Sequence, residues 1–392
     1  LAGTFNTNWE FLESCAVGLP LSEGEMGKAQ RGFEHFTLKL LKMLPHYSIS
    51  PPSPAIFEAA QRALDGKTKP LRSLGRAETL AARLCAIQNR IPPRLHSIEI
   101  VLFAADHGVT KSRGVSAFPR EVTAQMLQNF AAGGAAICAL SREIGANLSV
   151  IDVGVDSETS ISGVENCAVM RGTHDFVSQT AMSETQGVTA WNVGFSKAQK
   201  LARGGADLLV FGEMGIGNTT SAAAILALLC EAAPETVVGR GTGVNDDGLQ
   251  TKIEVVRRAA QFHAGAKSPF EILCAVGGLE IAALAGAICA SAVEKTPVLV
   301  DGFIVSVAAL VAQKIAGEAL GDYLFFAHKS AEAGHAFVLE QLGATGENAP
   351  LLDWGMRLGE ASGAALALPL LRGAAAIFQM ASFQDAGVSE NL

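Results

Sequence analysis

The chain has 392 residues and a net charge of −8, with 49% hydrophobic and only 6% aromatic residues. That acidic balance, with no dense Lys/Arg stripe, argues against a nucleic-acid or anionic-membrane partner. No apolar run reaches the roughly 18 to 20 clean residues of a membrane span, since the best candidates are interrupted by Asp301, Glu280 and Arg372.

The length allows a large core and two or three domains. Abundant Ala and Gly suit helices packed closely on a parallel sheet. Seven cysteines, Cys15, Cys85, Cys138, Cys167, Cys230, Cys274 and Cys289, are dispersed without a Cys-x-x-Cys pair. Such thiols point to a reducing, cytoplasmic setting without a disulfide frame or zinc site. The eight histidines lack His-Glu-x-x-His spacing, and Gly334 between His328 and His335 argues against a metal pair. No metal is expected.

In chain order, residues 1–50 form an extension holding Trp9 and Tyr47, with a short amphipathic helix predicted over Phe33 to Met43. Glu10, Glu13, Glu23 and Glu25 speak against a transit peptide. Pro54 to Asn89 reads as helix, broken over Lys67 to Gly75. A repeating layout of strand, polar tip and helix follows. The predicted strands are Ile98 to Ala105, Leu148 to Val153, Ala206 to Phe211, Ile272 to Val276, Pro297 to Val300 and Tyr323 to Ala327. Each is apolar without strict alternation, as in strands covered on both faces. Asp106-His107, Asp156, Glu213, Gly277 to Glu280, Asp301-Gly302 and His328 stand at their downstream ends, where open α/β sheets bind ligands. The last sixty or so residues return to helix.

Two glycine-rich turns stand out. In Phe211-Gly-Glu-Met-Gly-Ile-Gly-Asn-Thr-Thr220, a strand gives way to a helix read over Ser221 to Cys230. Gly215 and Gly217 allow close backbone approach, and the helix terminus favours an anion such as phosphate. Alone this is an ordinary capped turn, but Gly239-Arg-Gly-Thr-Gly243 repeats the theme. Glu213 and Glu360 are both carboxylates beside glycine, and position alone makes each a helix-terminal acid. Asp246-Asp247 read as a solvated turn and Lys252 as a surface lysine able to assist a phosphate. Asp106-His107 read as a strand-end hydrogen-bonded pair. Met214 and Leu358 alone would be core residues, and Ser116 and Phe118 a capping loop before a helix starting near Pro119.

Eight stretches in order carry a resemblance: Lys69 to Gly75, Ala105 to Val109, Gly114 to Met126, Gly212 to Thr220, Gly239 to Gly243, Asp301 to Phe303, His328 to His335 and Leu358 to Ala365. Together they resemble the nicotinate-nucleotide–dimethylbenzimidazole phosphoribosyltransferase family, from about Pro54 to the C-terminus. Arg72 stands where the family's Lys-Pro-x-Gly-Ser-Leu-Gly pattern has glycine. The resemblance implies a Rossmann-like, mostly parallel sheet with flanking helices, spanning residues 98–330. A small helical domain would be built from residues 51–97 and 331–392. It also implies a homodimer, no cofactor, and transfer of phosphoribosyl from nicotinate mononucleotide to a benzimidazole. Glu360 is then the general base, with Glu213 as a second catalytic carboxylate. Gly215, Gly217, Asn218, Thr219, Gly241, Lys252 and Ser330 serve the phosphate and ribose. Ser116, Phe118, Gln125, Met214 and Leu358 surround the base.

Two other readings compete. A nicotinamide-dependent dehydrogenase would need a third glycine after Gly215-x-Gly217 and an acid ending a strand about twenty residues on. A non-catalytic nucleotide or benzimidazole carrier would gain little from Glu213 and Glu360 beside an apolar pocket.

Overall fold

The computed structural model describes residues 44, 47–111, 113–158 and 160–389. The predicted helix over Phe33 to Met43, with Trp9 and Cys15, lies outside them. All described elements named below belong to the unit Pro45–Leu392.

Helices α1 (Pro54–Asp65) and α2 (Arg76–Gln88) flank the predicted break. Ser53 caps α1 through its hydroxyl and Pro54 starts it, a pairing that suits a helix N-terminus. Within the break, Arg72 has φ 55°. The left-handed region explains why a glycine fits this position so well. Lys69 donates to Glu78 at 2.8 Å, both side chains buried, and Glu78 also accepts from the Leu74 N–H.

The sheet has six strands, all parallel: β1 (Ile98–Ala105), β2 (Asn147–Gly154), β3 (Glu165–Asn166), β4 (Leu208–Met214), β5 (Val298–Val300) and β6 (Leu324–Phe326). Their order is β3-β2-β1-β4-β5-β6, so the chain reverses its direction of travel across the sheet between β1 and β4. At such a switch point the loops after the two strands diverge and leave a crevice. The register pairs Phe103 with Glu213 and Ala104 with Met214, placing the loop after β1 beside the loop after β4.

One predicted strand is a helix. Ile272 to Val276 falls within Pro269–Val276, where Ser268 and Glu271 form a reciprocal capping box and Pro269 takes the first position. Those start signals outweigh a short apolar run, whose period does not separate helix from strand. The sixth strand is instead the two-residue β3, too short to carry a pattern.

Between the strands run α3 (Val122–Ala131), α4 (Ala136–Glu143), α5 (Glu184–Arg203), α6 (Asn218–Leu229), α7 (Asp246–Phe262), α8 (Pro269–Val276), α9 (Leu279–Val293) and α10 (Phe303–Ala316), and after β6 come α11 (Ala333–Gln341) and α12 (Ser362–Ala376). Helix α9 is buried from Leu279 to Ala292 and packs on α5 through glycines. A Cβ at Gly286 would lie 2.9 Å from the Trp191 carbonyl carbon. The end of the N-terminal extension also has a place: Trp191 donates to the Tyr47 hydroxyl at 2.8 Å, and Tyr323 donates to the Ser50 carbonyl at 2.7 Å. Among the described residues, one helical stretch (Ser362–Gln379) is long and apolar enough to cross a membrane, and half of it is buried in the fold.

Candidate active site

A cavity of about 460 Å³ opens over the C-terminal ends of β4, β5 and β6. Ten of the fourteen predicted residues line it: Glu213, Met214, Gly215, Asn218, Thr219, Gly241, Ser330, Phe118, Leu358 and Glu360. Four do not. Gly217 caps α6 with φ 95°, and Lys252 lies behind the wall. Ser116 is held in its loop, its hydroxyl 3.3 Å from that of Thr242. Gln125 is exposed on α3.

On one side the cavity is polar and tightly tied. No acceptor is described for the N–H groups of Gly217 and Thr219 at the α6 terminus, whereas those of Asn218 and Thr220 bond to Gly215 and Gly217 carbonyls. Lys252 is 1% exposed, not the surface lysine expected. It reaches the cradle from α7, donating to the Gly239 carbonyl at 2.8 Å and the Thr219 hydroxyl at 3.0 Å. One of its three protons remains for a ligand. Burial pulls its pKa down to about 8, opposed by Glu332. A Cβ at Gly241 would lie 2.8 Å from the Thr219 hydroxyl and 3.0 Å from the Lys252 amine, so only glycine passes here without displacing them. The turn around Gly241 is also held from two sides: its N–H donates to Glu332 at 3.3 Å, and its carbonyl accepts from Arg357 at 2.9 Å.

Ser330 is fixed by a buried histidine. Its N–H donates to His335 Nδ1 at 2.7 Å, and Nε2 of that ring lies 3.1 Å from the Ser306 hydroxyl. Burial, with His328 and Lys329 nearby, lowers His335 to about 3. The ring is therefore neutral with its proton on Nε2. His328 and His335 stand with ring centroids 6.1 Å apart, His335 on α11 and His328 after β6. No group of three metal-ligating side chains occurs among the described residues. Asp246-Asp247 begin α7 rather than a free turn, capped by Asn245, and the exposed Asp246 pairs with Arg240 at 2.5 Å.

On the other side the carboxylates meet an apolar wall. Glu213 ends β4 and accepts from Asn218. Burial pushes its carboxyl up to about 8; Asp301, Glu280 and Glu360 add to the push and the Asn218 hydrogen bond opposes it. Glu360 is 6% exposed, and burial raises it to about 7. Its Oε2 has no partner among the described residues. Glu360 and Ala361 have φ of 61° and 62°, and the turn they form lies against the β4 backbone. A Cβ at Gly212 would come 2.6 Å from the Ala361 nitrogen and 2.8 Å from the Glu360 carbonyl carbon. Asp301, also raised to about 7 by burial, anchors α12 by accepting from the Ala364 N–H at 2.8 Å. Phe118 and Leu358 leave apolar surface open at the mouth, 53% and 58% exposed.

Glu332, Arg357 and Thr242 also line the cavity but were absent from the predicted set. Glu332 lies inside the quoted stretch His328 to His335 and Arg357 directly precedes Leu358, yet nothing local marks side chains that act on a turn some ninety to 116 residues away.

Comparison with known proteins gives the family. A family profile described as "Phosphoribosyltransferase" matches residues 49–388. A nicotinate-nucleotide–dimethylbenzimidazole phosphoribosyltransferase from Bradyrhizobium sp. (strain ORS 278) is 48% identical over 86% of this chain and 95% of its own length. The protein of that name from Pseudomonas fluorescens (strain SBW25) is 46% identical over 85% and 94%. The crystal structure of a protein of the same name from Thermus thermophilus superposes with a TM-score of 0.80 at 43% identity, covering 86% of this chain and all of that one. With cradle, carboxylates and apolar wall on one cavity, and this likeness running nearly end to end, the chain belongs to the nicotinate-nucleotide–dimethylbenzimidazole phosphoribosyltransferase family.

Proposed function

We propose that this chain transfers the phosphoribosyl group of nicotinate mononucleotide to 5,6-dimethylbenzimidazole, yielding α-ribazole 5′-phosphate and nicotinate in assembly of the cobalamin nucleotide loop. The observation that carries this reading is the meeting of Glu360 and Glu213 with two glycine turns on one cavity. The 5′-phosphate takes the free N–H groups of the α6 terminus, the remaining Lys252 proton and the Ser330 hydroxyl. Gly241 contributes close approach rather than its N–H, which Glu332 already holds. The base lies against Phe118, Met214 and Leu358, with Ser116 and Gln125 at its rim.

In the reaction, one ring nitrogen of the base attacks C1′ from the face opposite the departing pyridinium, which inverts the anomeric carbon. As the new N–C bond forms, the other ring nitrogen releases its proton to Glu360. The C1′–pyridinium bond breaks with its electron pair, and the ring leaves as nicotinate. Glu360 must be ionised to accept that proton. With its carboxyl raised to about 7, it is strong enough to take the proton and still largely ionised just above neutrality. Glu213, raised further to about 8, stays protonated there. It braces the Glu360 turn without competing for the proton.

Residues 51–97 and 331–392 form one helical domain, supported by α12 packing on α2. The protein is a cytoplasmic homodimer; the free cysteines among the described residues support the compartment, and the exposed Trp354 supports a covered face. The deciding experiment incubates the protein with nicotinate mononucleotide and dimethylbenzimidazole at several pH values. Equimolar nicotinate and α-ribazole phosphate should appear, with kcat/KM rising as pH passes through about 7. Absence of both products from folded protein would refute the assignment.

A further inference from the structure

Behind the cradle lies a buried hydrogen-bonded pair the reaction does not use. His107, just past the end of β1, and Glu280, in the first turn of α9, are both fully buried. His107 Nε2 stands 2.6 Å from Glu280 Oε1. That spacing requires a proton between them. His107 Nδ1 and Glu280 Oε2 have no partner among the described residues, so each group depends on the other for its polar contact. Space for the pair is made by Gly278, where a Cβ would fall 2.5 Å from His107 Cε1.

The imidazole lies directly beneath the first glycine turn. A Cβ at Gly215 would meet His107 Nε2 at 3.3 Å and the Ala105 carbonyl at 2.5 Å, and one at Gly217 would lie 3.6 Å from His107 Cβ. The His107 backbone is fixed in turn, its carbonyl accepting from the Thr110 hydroxyl at 2.6 Å and the Thr110 N–H at 3.2 Å. Above it, the Ile216 N–H donates to the Thr123 hydroxyl at 3.2 Å. The turn thus rests on a polar floor whose height is set by a carboxylate from a different helix.

We propose that His107, oriented by Glu280, is a positioning residue that holds the turn Gly215 to Gly217 at the height where the Gly217 N–H meets the donor's phosphate. This rests on the proposed reading of that turn as the phosphate cradle. A buried pair left half-intact is strongly destabilising, whereas replacing both partners by apolar residues of similar volume is often neutral. The double variant His107→Leu/Glu280→Met therefore separates folding from positioning. Both single variants should lose thermal stability and the double should regain it. The double should still show a donor KM raised about tenfold, with kcat and acceptor KM within about twofold of the starting protein. Recovery of donor KM together with melting temperature would overturn the proposal and leave the pair a structural element. An equal rise in acceptor KM would overturn it too, and would place the fault in the reading of the turn as the donor's cradle. Glu280→Gln preserves volume and covers the case in which the double variant does not fold. It should raise donor KM with kcat unaltered, and an unchanged donor KM would again overturn the proposal.

Discussion

The two halves of the cavity are built to different standards. On the polar side the turns and side chains are tied in place: Lys252 with Gly239 and Thr219, Gly241 with Glu332 and Arg357, Ser330 with His335. On the acceptor side, Phe118 and Leu358 are more than half exposed and Glu360 Oε2 has no partner among the described residues. A rigid, pre-formed cradle suits a doubly charged phosphate, whose binding would otherwise require costly ordering of donors. A flat, apolar base needs surface more than bonds, which in the proposed reading the apolar wall supplies. In the proposed reaction, affinity is thereby concentrated in one half and chemistry in the other.

That division should break most sharply at Glu360. Glu360→Gln should lower kcat by about 10² to 10⁴-fold, the usual effect of losing a general base, while donor KM stays nearly fixed. Single-turnover nicotinate release measures it, and a folded variant with near-normal turnover would remove Glu360 from the mechanism. Next comes the cradle. Gly217→Val places a branched side chain at φ 95° against Thr110. It should raise donor KM on the order of tenfold or more, since a β-branched residue resists the left-handed region. Equal weakening of the acceptor would indicate general distortion and blur the contrast between the halves.

A smaller change is expected from Phe118→Ala. Losing part of a half-exposed aromatic contact should raise acceptor KM about three- to tenfold, or about 1 kcal/mol, leaving donor KM alone. Isothermal titration with each substrate would show whether the effect stays on its own side. Smallest of all is chelation. The cradle offers the phosphate a lysine and backbone N–H groups, which hold monoesters without a divalent ion. Dialysis against EDTA should leave turnover within error. A loss restored by Mg²⁺ would show that the cradle depends on an ion.

Much of this was legible in the chain itself. Apolar runs ending in Asp106-His107, Asp156, Glu213, Asp301-Gly302 and His328 located five strands and the edge at which the site lies. The misread Ile272 to Val276 carried its correction just upstream, in the Ser268-Pro269 start and Glu271. Lys252 was harder: its position on α7 is indistinguishable from a solvated one until the Gly239 turn closes over it. Glu332 and Arg357 were harder still, because their work is done on residues distant in sequence. What local pattern conveys is where a turn must be flexible. Which side chain then pins that turn is decided by the tertiary fold.

One further consequence follows from the backbone at Glu360 and Ala361, two successive non-glycine residues in left-handed conformation. Each such residue costs roughly 1 to 2 kcal/mol, so the turn is a stressed spring held shut by Gly212 and α12. The aim of the carboxylate is thereby set by main-chain geometry rather than by a freely chosen rotamer. Substitutions that relax this turn, Ala361→Gly foremost, would gain thermal stability and lose turnover. Selection for heat resistance alone would therefore drift away from catalysis at this point of the chain.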